Sequence, residues 1–211
     1  TIYHGWLVAA VWLVIRGYAL WGLRPNEAVQ GYFEVAGDWL GGFIPYADFK
    51  IEYPPGALLL FVLPRFFTEL PLMYAYGFAF VMLLADLGIL LILWRISGLV
   101  PEGEVKDITA RRYQRTQVCL AYLLLTAVFG RLLYQSYDLM LALVLVASIF
   151  LALRNKFVLV DVLLAVAVWL NLTALIWIPF FWLDGSANGN KGSGIRGAGE
   201  IIFGPCGVVS S

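Results

Sequence analysis

The run at residues 72–94 most restricts what this chain can fold into, because it is long enough to cross a bilayer and holds one charged residue, Asp86. Inside hydrocarbon every backbone N–H and C=O group needs a partner within the protein, so such a run forms a helix. Of the 211 residues, 62% are hydrophobic and 13% are charged, which is typical of polytopic membrane proteins. The sequence therefore predicts an all-α polytopic membrane protein.

Further apolar runs predict about five to six transmembrane helices. They cover residues 5–23, 72–94, 117–134, 137–153 and 157–183. The last run could be one long kinked helix, but we expect it to turn near Asn171 into a returning half. Arg16 interrupts the first run, and an arginine in hydrocarbon costs ~3 kcal/mol on insertion scales. We therefore expect Arg16 to face protein or a wet cavity, or to extend to the interface. The pattern leaves open whether it packs between helices or contacts a substrate. Asp86 is expected to pair with a polar group of a neighbouring helix.

Basic residues predict the orientation of these helices. The loop at 95–116 holds the densest cluster of them, and Arg154 and Lys156 follow the fourth run. Loops rich in Lys and Arg stay in the cytoplasm. The long loop at 24–71 is therefore predicted to lie on the other face, together with Arg131 and Asp138.

The outer loop at 24–71 is predicted to form two surface helices. The first begins after Pro25 and Asn26, follows a 3.6-residue apolar period to Leu40, and carries acidic residues on its other side. The second covers residues 56–63, which have no polar side chain but are too few to span a membrane. A double proline starts it, so we expect a helix lying on or dipping into one membrane face.

Carboxylates in this loop are the candidate catalytic groups. Asp48 and Glu52 stand four residues apart before the double proline, and Glu27 lies in the first turn of the first surface helix. Each has a structural alternative. Asp48 and Glu52 could cap turns, and an acid in a first helical turn stabilises the helix by up to about 1 kcal/mol. Glu34 and Asp38 are interpreted as a solvated face.

Several classes of partner are not predicted. The net charge is zero, whereas nucleic-acid binding needs a clustered basic surface. No His, Cys, Asp or Glu residues have a metal-ligand spacing, so we predict no metal and no cofactor. Cys119 and Cys206 form no disulfide framework. We divide the chain into a membrane core at 1–183 and a Gly- and Ser-rich tail at 184–211, read as a flexible or truncated end.

The outer loop resembles that of polyprenyl-phosphate-dependent membrane glycosyltransferases of the C-type superfamily, in the bacterial alpha-mannosyltransferase-like branch. The similarity covers about residues 5–183, and the stretch PYADFKIEYPPG carries it most specifically. The matching residues are Tyr32, Pro45, Tyr46, Asp48, Phe49, Glu52, Tyr53, Pro54, Pro55, Gly56, Leu59 and Phe61. Two positions depart from the family pattern. An early aspartate would align with Ala28, next to Glu27, and a lysine would align with Asn171.

The resemblance implies two juxtamembrane helices above a bundle of spans in a bacterial inner membrane, with the active face extracytoplasmic. It implies transfer of a sugar, with mannose as the first candidate, from a polyprenyl phosphate to a glycan or glycolipid acceptor. An acid of the loop would act as the base. On this basis we hypothesise that Glu27 or Asp48 is the base and that Glu52 orients the sugar or acceptor. Further candidate substrate contacts are Tyr53, Arg24, Lys50, Arg131 and Asp138.

The chemistry of such a transfer needs few groups. A carboxylate takes the proton of the acceptor hydroxyl as its oxygen attacks the anomeric carbon, and a cation beside the leaving phosphate stabilises the developing charge. Two other functions fit a hydrophobic chain of this kind. One is a transporter or flippase, which would usually show interrupted paired segments and repeated halves. The other is a non-catalytic membrane scaffold, whose acidic face should tolerate alanine.

Overall fold

The computed structural model describes residues 3–99 and 108–179, and every regular element within these ranges is helical. This confirms the all-α prediction for the described part of the chain. The helices are α1 (Tyr3–Leu20), α2 (Glu27–Leu40), α3 (Pro55–Arg65), α4 (Pro71–Ile96), α5 (Ile108–Ala127), α6 (Asp138–Ala152) and α7 (Phe157–Leu170), with 3₁₀ helices at Gly130–Tyr134 and Leu172–Trp177.

The two helices predicted in the outer loop are present. Asn26 caps α2 by accepting a hydrogen bond from the backbone N–H of Val29 at 2.9 Å, as an N-cap residue does. The buried face of α2 is apolar or aromatic, while Glu27, Glu34 and Asp38 are exposed. Pro55 starts α3, where the N–H that proline lacks would have no helical partner. α2 and α3 pack against each other and against α4.

The longest helix, α4, is the centre of the bundle. It contacts α2, α3, α5, α6 and the first 3₁₀ helix, and it is the one helix among the described residues that is long and apolar enough by itself to cross a membrane. α3, α6, α7 and the Gly5–Leu20 stretch are apolar but shorter. The predicted number of five to six spans thus stays a prediction.

A buried ion pair joins α1 to α4. Arg16 and Asp86 are 2% and 0% exposed, and two nitrogens of the guanidinium donate to the two carboxylate oxygens at 2.9 Å. Trp12 and Tyr122 each donate to the same carboxylate at 2.6 Å. This confirms that Arg16 faces protein and that Asp86 pairs with a neighbouring helix. The contacts support the helix-packing interpretation of Arg16.

Two apolar runs are shorter as helices than their hydropathy implied. The run at 117–134 contains the end of α5 and then a separate 3₁₀ helix, because Gly130 has φ of 50°, which an α-helix cannot include. The final run breaks at Asn171, as predicted, and continues as the second 3₁₀ helix. Lys106 and the tail at 184–211 lie outside the described residues, as do the side chains of Arg111 and Arg112.

Candidate functional site

A cleft of about 730 Å³ lies between residues 46–55 of the outer loop and the C-terminal half of α7. Glu52 is the charged residue among those lining it, and two phenol side chains stand on the same side. The other lining residues are apolar. The full set is Tyr46, Ile51, Glu52, Tyr53, Pro54, Pro55, Ala165, Val168, Trp169 and Leu172. Largely apolar concave sites with a few polar groups are typical of small-molecule binding.

A glycine brings the two walls of the cleft together. Gly56, in the first turn of α3, packs so closely on Trp169 that a Cβ atom there would lie 2.6 Å from the Trp169 carbonyl oxygen. Real Cβ atoms do not approach backbone oxygens so closely, so a larger residue would push α3 away from α7. The glycine after the double proline thus fixes the distance between the walls.

Aromatic rings hold Tyr53 at the edge of this cleft. Its ring makes edge contacts with Tyr32 at 5.3 Å, Phe61 at 5.1 Å and Tyr137 at 6.1 Å between centroids. Tyr32 also stacks on Phe61 at 4.1 Å. Edge and stacked ring pairs of this kind contribute roughly 0.5–1.5 kcal/mol each beyond their buried area. The cluster connects α2, α3 and the start of α6, so the position of Tyr53 depends on three separate parts of the chain.

The phenols beside the cleft remain protonated at neutral pH. Burial raises the pKa of Tyr53, and the neighbouring Glu52 carboxylate raises it further. Burial likewise raises the pKa of Tyr32, with additional contributions from Tyr53, Tyr137 and Asp138. A neutral phenol can donate a hydrogen bond as well as accept one. The hydroxyl of Tyr53 is therefore suited to a sugar hydroxyl or a phosphate oxygen.

Asp48 and Tyr46 fasten the turn that precedes the cleft. One Asp48 carboxylate oxygen accepts from the backbone N–H of Ile44 at 2.6 Å, and the Asp48 N–H donates to the Ile44 carbonyl at 2.9 Å. Tyr46 has φ of 67°, a left-handed conformation that is uncommon for a bulky residue. Its hydroxyl donates to the Tyr53 carbonyl at 2.5 Å. The structural alternative for Asp48, a turn-capping bond, is thus present, and Asp48 does not line the cleft.

The remaining loop candidates also lie outside the cleft lining. Glu27 is the exposed first residue of α2, and Lys50 is exposed. Arg24 is exposed too, and its carbonyl accepts a hydrogen bond from the Gln135 side chain.

Arg131 lies in the first 3₁₀ helix, and Asp138 is the first residue of α6. The Arg131 side chain donates to the Trp21 carbonyl at 2.8 Å, and this bond connects the first 3₁₀ helix to the residue that follows α1. Asp138 accepts from the Ser136 hydroxyl at 2.5 Å and lines a smaller hollow of about 300 Å³. Of the eight predicted site residues, the structure brings only Glu52 and Tyr53 together in the larger cleft.

Sequence reasoning did not anticipate the second wall of the cleft. Ala165, Val168, Trp169 and Leu172 come from α7 and the residues after it, more than 100 positions from Glu52. A tryptophan near the end of an apolar helix is a usual interface residue, and this was the one available signal. Asn171, where the resemblance would place a lysine, accepts hydrogen bonds from the Thr173 N–H and hydroxyl. Within the described residues, no three His, Cys, Asp or Glu side chains meet as metal ligands.

Comparison with known proteins identifies the family. No curated protein and no solved structure matches the chain. The model of glycosyltransferase family 87 matches residues 51–195, which is more than half of the 211 residues. The matched range includes both walls of the cleft except Tyr46, and it does not reach Glu27 or Asp48. This favours a transferase over a transporter or a scaffold. The chain belongs to glycosyltransferase family 87.

Proposed function

We propose that this protein is an integral membrane glycosyltransferase that transfers a sugar from a polyprenyl phosphate to an acceptor hydroxyl. The sugar is a hexose, with mannose the first candidate, and the acceptor is a glycan or glycolipid. One observation carries the proposal: a single cleft combines apolar walls with one carboxylate and two phenols. A lipid-linked sugar has the same division, since it is apolar at one end and rich in hydroxyl groups at the other.

The transfer forms one bond and breaks another. The acceptor oxygen attacks the anomeric carbon, the bond from that carbon to the phosphate oxygen breaks, and its electron pair leaves with the polyprenyl phosphate. The acceptor proton goes to a carboxylate, which acts as general base. The phosphate is a weakly basic leaving group, so no general acid is needed, while a nearby cation would stabilise it.

The position of two candidate residues supports their proposed roles, and the other roles rest on the family resemblance. Glu52 and Tyr53 line the cleft, so we assign them contacts with the sugar and the acceptor hydroxyl. Glu27 and Asp48 remain candidate bases. They lie outside the cleft lining, and the turn-capping bond of Asp48 occupies one of its oxygens.

The described residues that line the cleft include no lysine or arginine. A cation that stabilises the donor phosphate would therefore come from residues outside the lining. Arg24, Lys50 and Arg131 are all exposed, and we propose that they supply it. Asp138, in the smaller hollow, is proposed as a contact for the acceptor. We propose a multi-pass protein of a bacterial inner membrane, with this loop on the extracytoplasmic face and membrane lipid around the apolar helices.

The test is transfer of radiolabelled sugar from a panel of polyprenyl phosphate sugars in membranes, using the protein without substitutions as the parent. Glu27→Gln, Asp48→Asn and Glu52→Gln are compared with Glu34→Gln, an exposed acid on α2 that lies outside the cleft lining. General-base catalysis contributes about 10²- to 10⁴-fold, so the variant that lacks the base should lose transfer by that factor. Equal transfer by all four variants would remove the carboxylates from the mechanism. No transfer by the parent from any donor would reject the proposed function.

A further inference from the structure

Tyr46 lies at the edge of the cleft, in a turn in which the N–H groups of Ala47 and Asp48 donate to the Ile44 carbonyl at 3.2 and 2.9 Å. Its φ of 67° is one that bulky residues rarely adopt, and such outliers persist only where surrounding contacts impose them. Glycine adopts this conformation freely, yet here a tyrosine stands in it, half exposed. The turn bonds hold the backbone at Tyr46, and its side chain makes a further contact: the Tyr46 hydroxyl donates to the Tyr53 carbonyl at 2.5 Å.

The Tyr53 carbonyl is an acceptor that the helix leaves unused. α3 begins at Pro55, and the first bond into it runs from Ala57 N–H to the Pro54 carbonyl. Tyr53 precedes that point and also precedes a proline, which restricts its backbone to extended conformations. Its carbonyl direction is therefore largely fixed. The hydrogen bond from the Tyr46 hydroxyl to this carbonyl closes residues 46–53 into a loop that directly precedes α3.

Glu52 and Tyr53 lie at the closing end of this loop. Tyr46 and both of these residues line the same cleft, and Tyr53 is held from its other side by the rings of Tyr32, Phe61 and Tyr137. We propose that Tyr46 is a positioning residue, whose hydroxyl fixes the backbone of Tyr53 and so aligns Glu52 and Tyr53 with the sugar of the donor. This inference rests on the proposed function.

Alignment of this kind should appear as sugar specificity. Residues that contact sugar hydroxyls discriminate between epimers, and this discrimination weakens when their positions loosen. We compare transfer efficiency from polyprenyl phosphate mannose and polyprenyl phosphate glucose, which differ at one hydroxyl. The ratio of the two efficiencies does not depend on how much of the protein is active, so partial misfolding leaves it unchanged.

The test variant is Tyr46→Phe, which removes one oxygen atom, and the matched control is Tyr18→Phe on α1, where the tyrosine is 83% exposed. We expect Tyr46→Phe to reduce the sugar ratio by about threefold or more, and Tyr18→Phe to leave it unchanged. Hydrogen exchange should increase at residues 43–53 in Tyr46→Phe and remain as in the parent across α4.

Three results would overturn the inference. The first is a parent-like sugar ratio in Tyr46→Phe. The second is exchange at 43–53 identical to that of the parent. The third is faster exchange throughout the protein, which would show that Tyr46 supports the whole fold and not the cleft. Absence of transfer by the parent from every donor would instead count against the proposed function, and the exchange measurement would still test the bond.

Discussion

Replacing Asp86 by asparagine should lower the free energy of unfolding by about 3–5 kcal/mol, the usual cost of breaking a buried ion pair. The carboxylate accepts four hydrogen bonds of 2.6–2.9 Å, two from Arg16 and one each from Trp12 and Tyr122. Tyr134 approaches it at 3.4 Å. Every one of these partners is a donor, so the carboxylate oxygens are the shared acceptors that hold the group together.

The magnitude follows from what the amide can no longer do. The asparagine keeps one oxygen as an acceptor, but its NH₂ group is a donor and faces the donor groups of Arg16, Trp12 and Tyr122. About two charge-assisted bonds are lost, and bonds to charged groups contribute roughly 1.5–3 kcal/mol each. The Arg16 guanidinium keeps a bond to the Thr126 hydroxyl at 2.6 Å but stays buried without its counter-ion.

Reversible unfolding in mixed detergent micelles, followed by tryptophan fluorescence, measures this cost. The matched control is Asp161→Asn, because Asp161 is an exposed acid on α7. It should change the free energy by less than about 0.5 kcal/mol. A double variant, Arg16→Met with Asp86→Leu, should be more stable than Asp86→Leu alone, since it leaves no unpaired buried charge.

Two outcomes would refute the reasoning. One is an equal effect of Asp86→Asn and Asp161→Asn. The other concerns the double variant. Its loss of unfolding free energy would equal the sum of the losses in Arg16→Met and Asp86→Leu, because the effects of independent sites add and those of coupled sites do not.

Three further predictions concern the cleft and its surroundings. Trp169→Ala should raise the KM for the polyprenyl donor about five- to tenfold, because it removes part of an apolar wall of the cleft. Leu159→Ala, at an equally exposed position of α7 outside the cleft, should leave the KM unchanged. Equal KM values in the two variants would contradict the assignment of the cleft to the donor. Gly56→Ala should destabilise the protein by roughly 1–3 kcal/mol in the same unfolding assay, because its Cβ meets backbone. Gly88→Ala should cost less, since its Cβ meets the end of a flexible leucine, and the reverse order would be evidence against the argument. Burial raises the pKa of Tyr32 above its ordinary value near 10, so the unfolded state ionises first. Stability should then fall as pH rises above about 10, and Tyr32→Phe should make that fall shallower; an unchanged pH profile would show that this phenol does not contribute.

The sequence predicted the helices better than it predicted the site. Periodicity located α2, the double proline located α3, and hydropathy located α4, because each of these signals is local. Hydropathy placed the third run as one segment, since an apolar glycine such as Gly130 does not interrupt a hydropathy profile. The turn that it causes depends on a backbone angle and not on polarity.

The candidate site could be predicted only on one side. Glu52 stands before the double proline and was singled out from that context, and Tyr53 came from the family resemblance. Their partner wall on α7 is distant in sequence and apolar, so nothing distinguished it from the other residues of the apolar runs. Asp48 shows the opposite difficulty, because a catalytic carboxylate and a turn-capping carboxylate use the same residue type at the same position. Only the hydrogen bond from the Ile44 N–H shows that the Asp48 carboxylate caps the turn.

The exposed wall of the cleft determines which concentration of a lipid-linked donor would control the reaction rate. Trp169 and Leu172 are 48% and 63% exposed, so apolar side chains of one cleft wall reach the surface of the bundle. In the proposed reaction the donor therefore arrives sideways, by diffusion within the plane of the bilayer. Its effective concentration is a mole fraction of the membrane and not a quantity per volume of water. Diluting the donor with inert phospholipid, at constant total amount, would slow such an enzyme, and the composition of the surrounding membrane would set its rate.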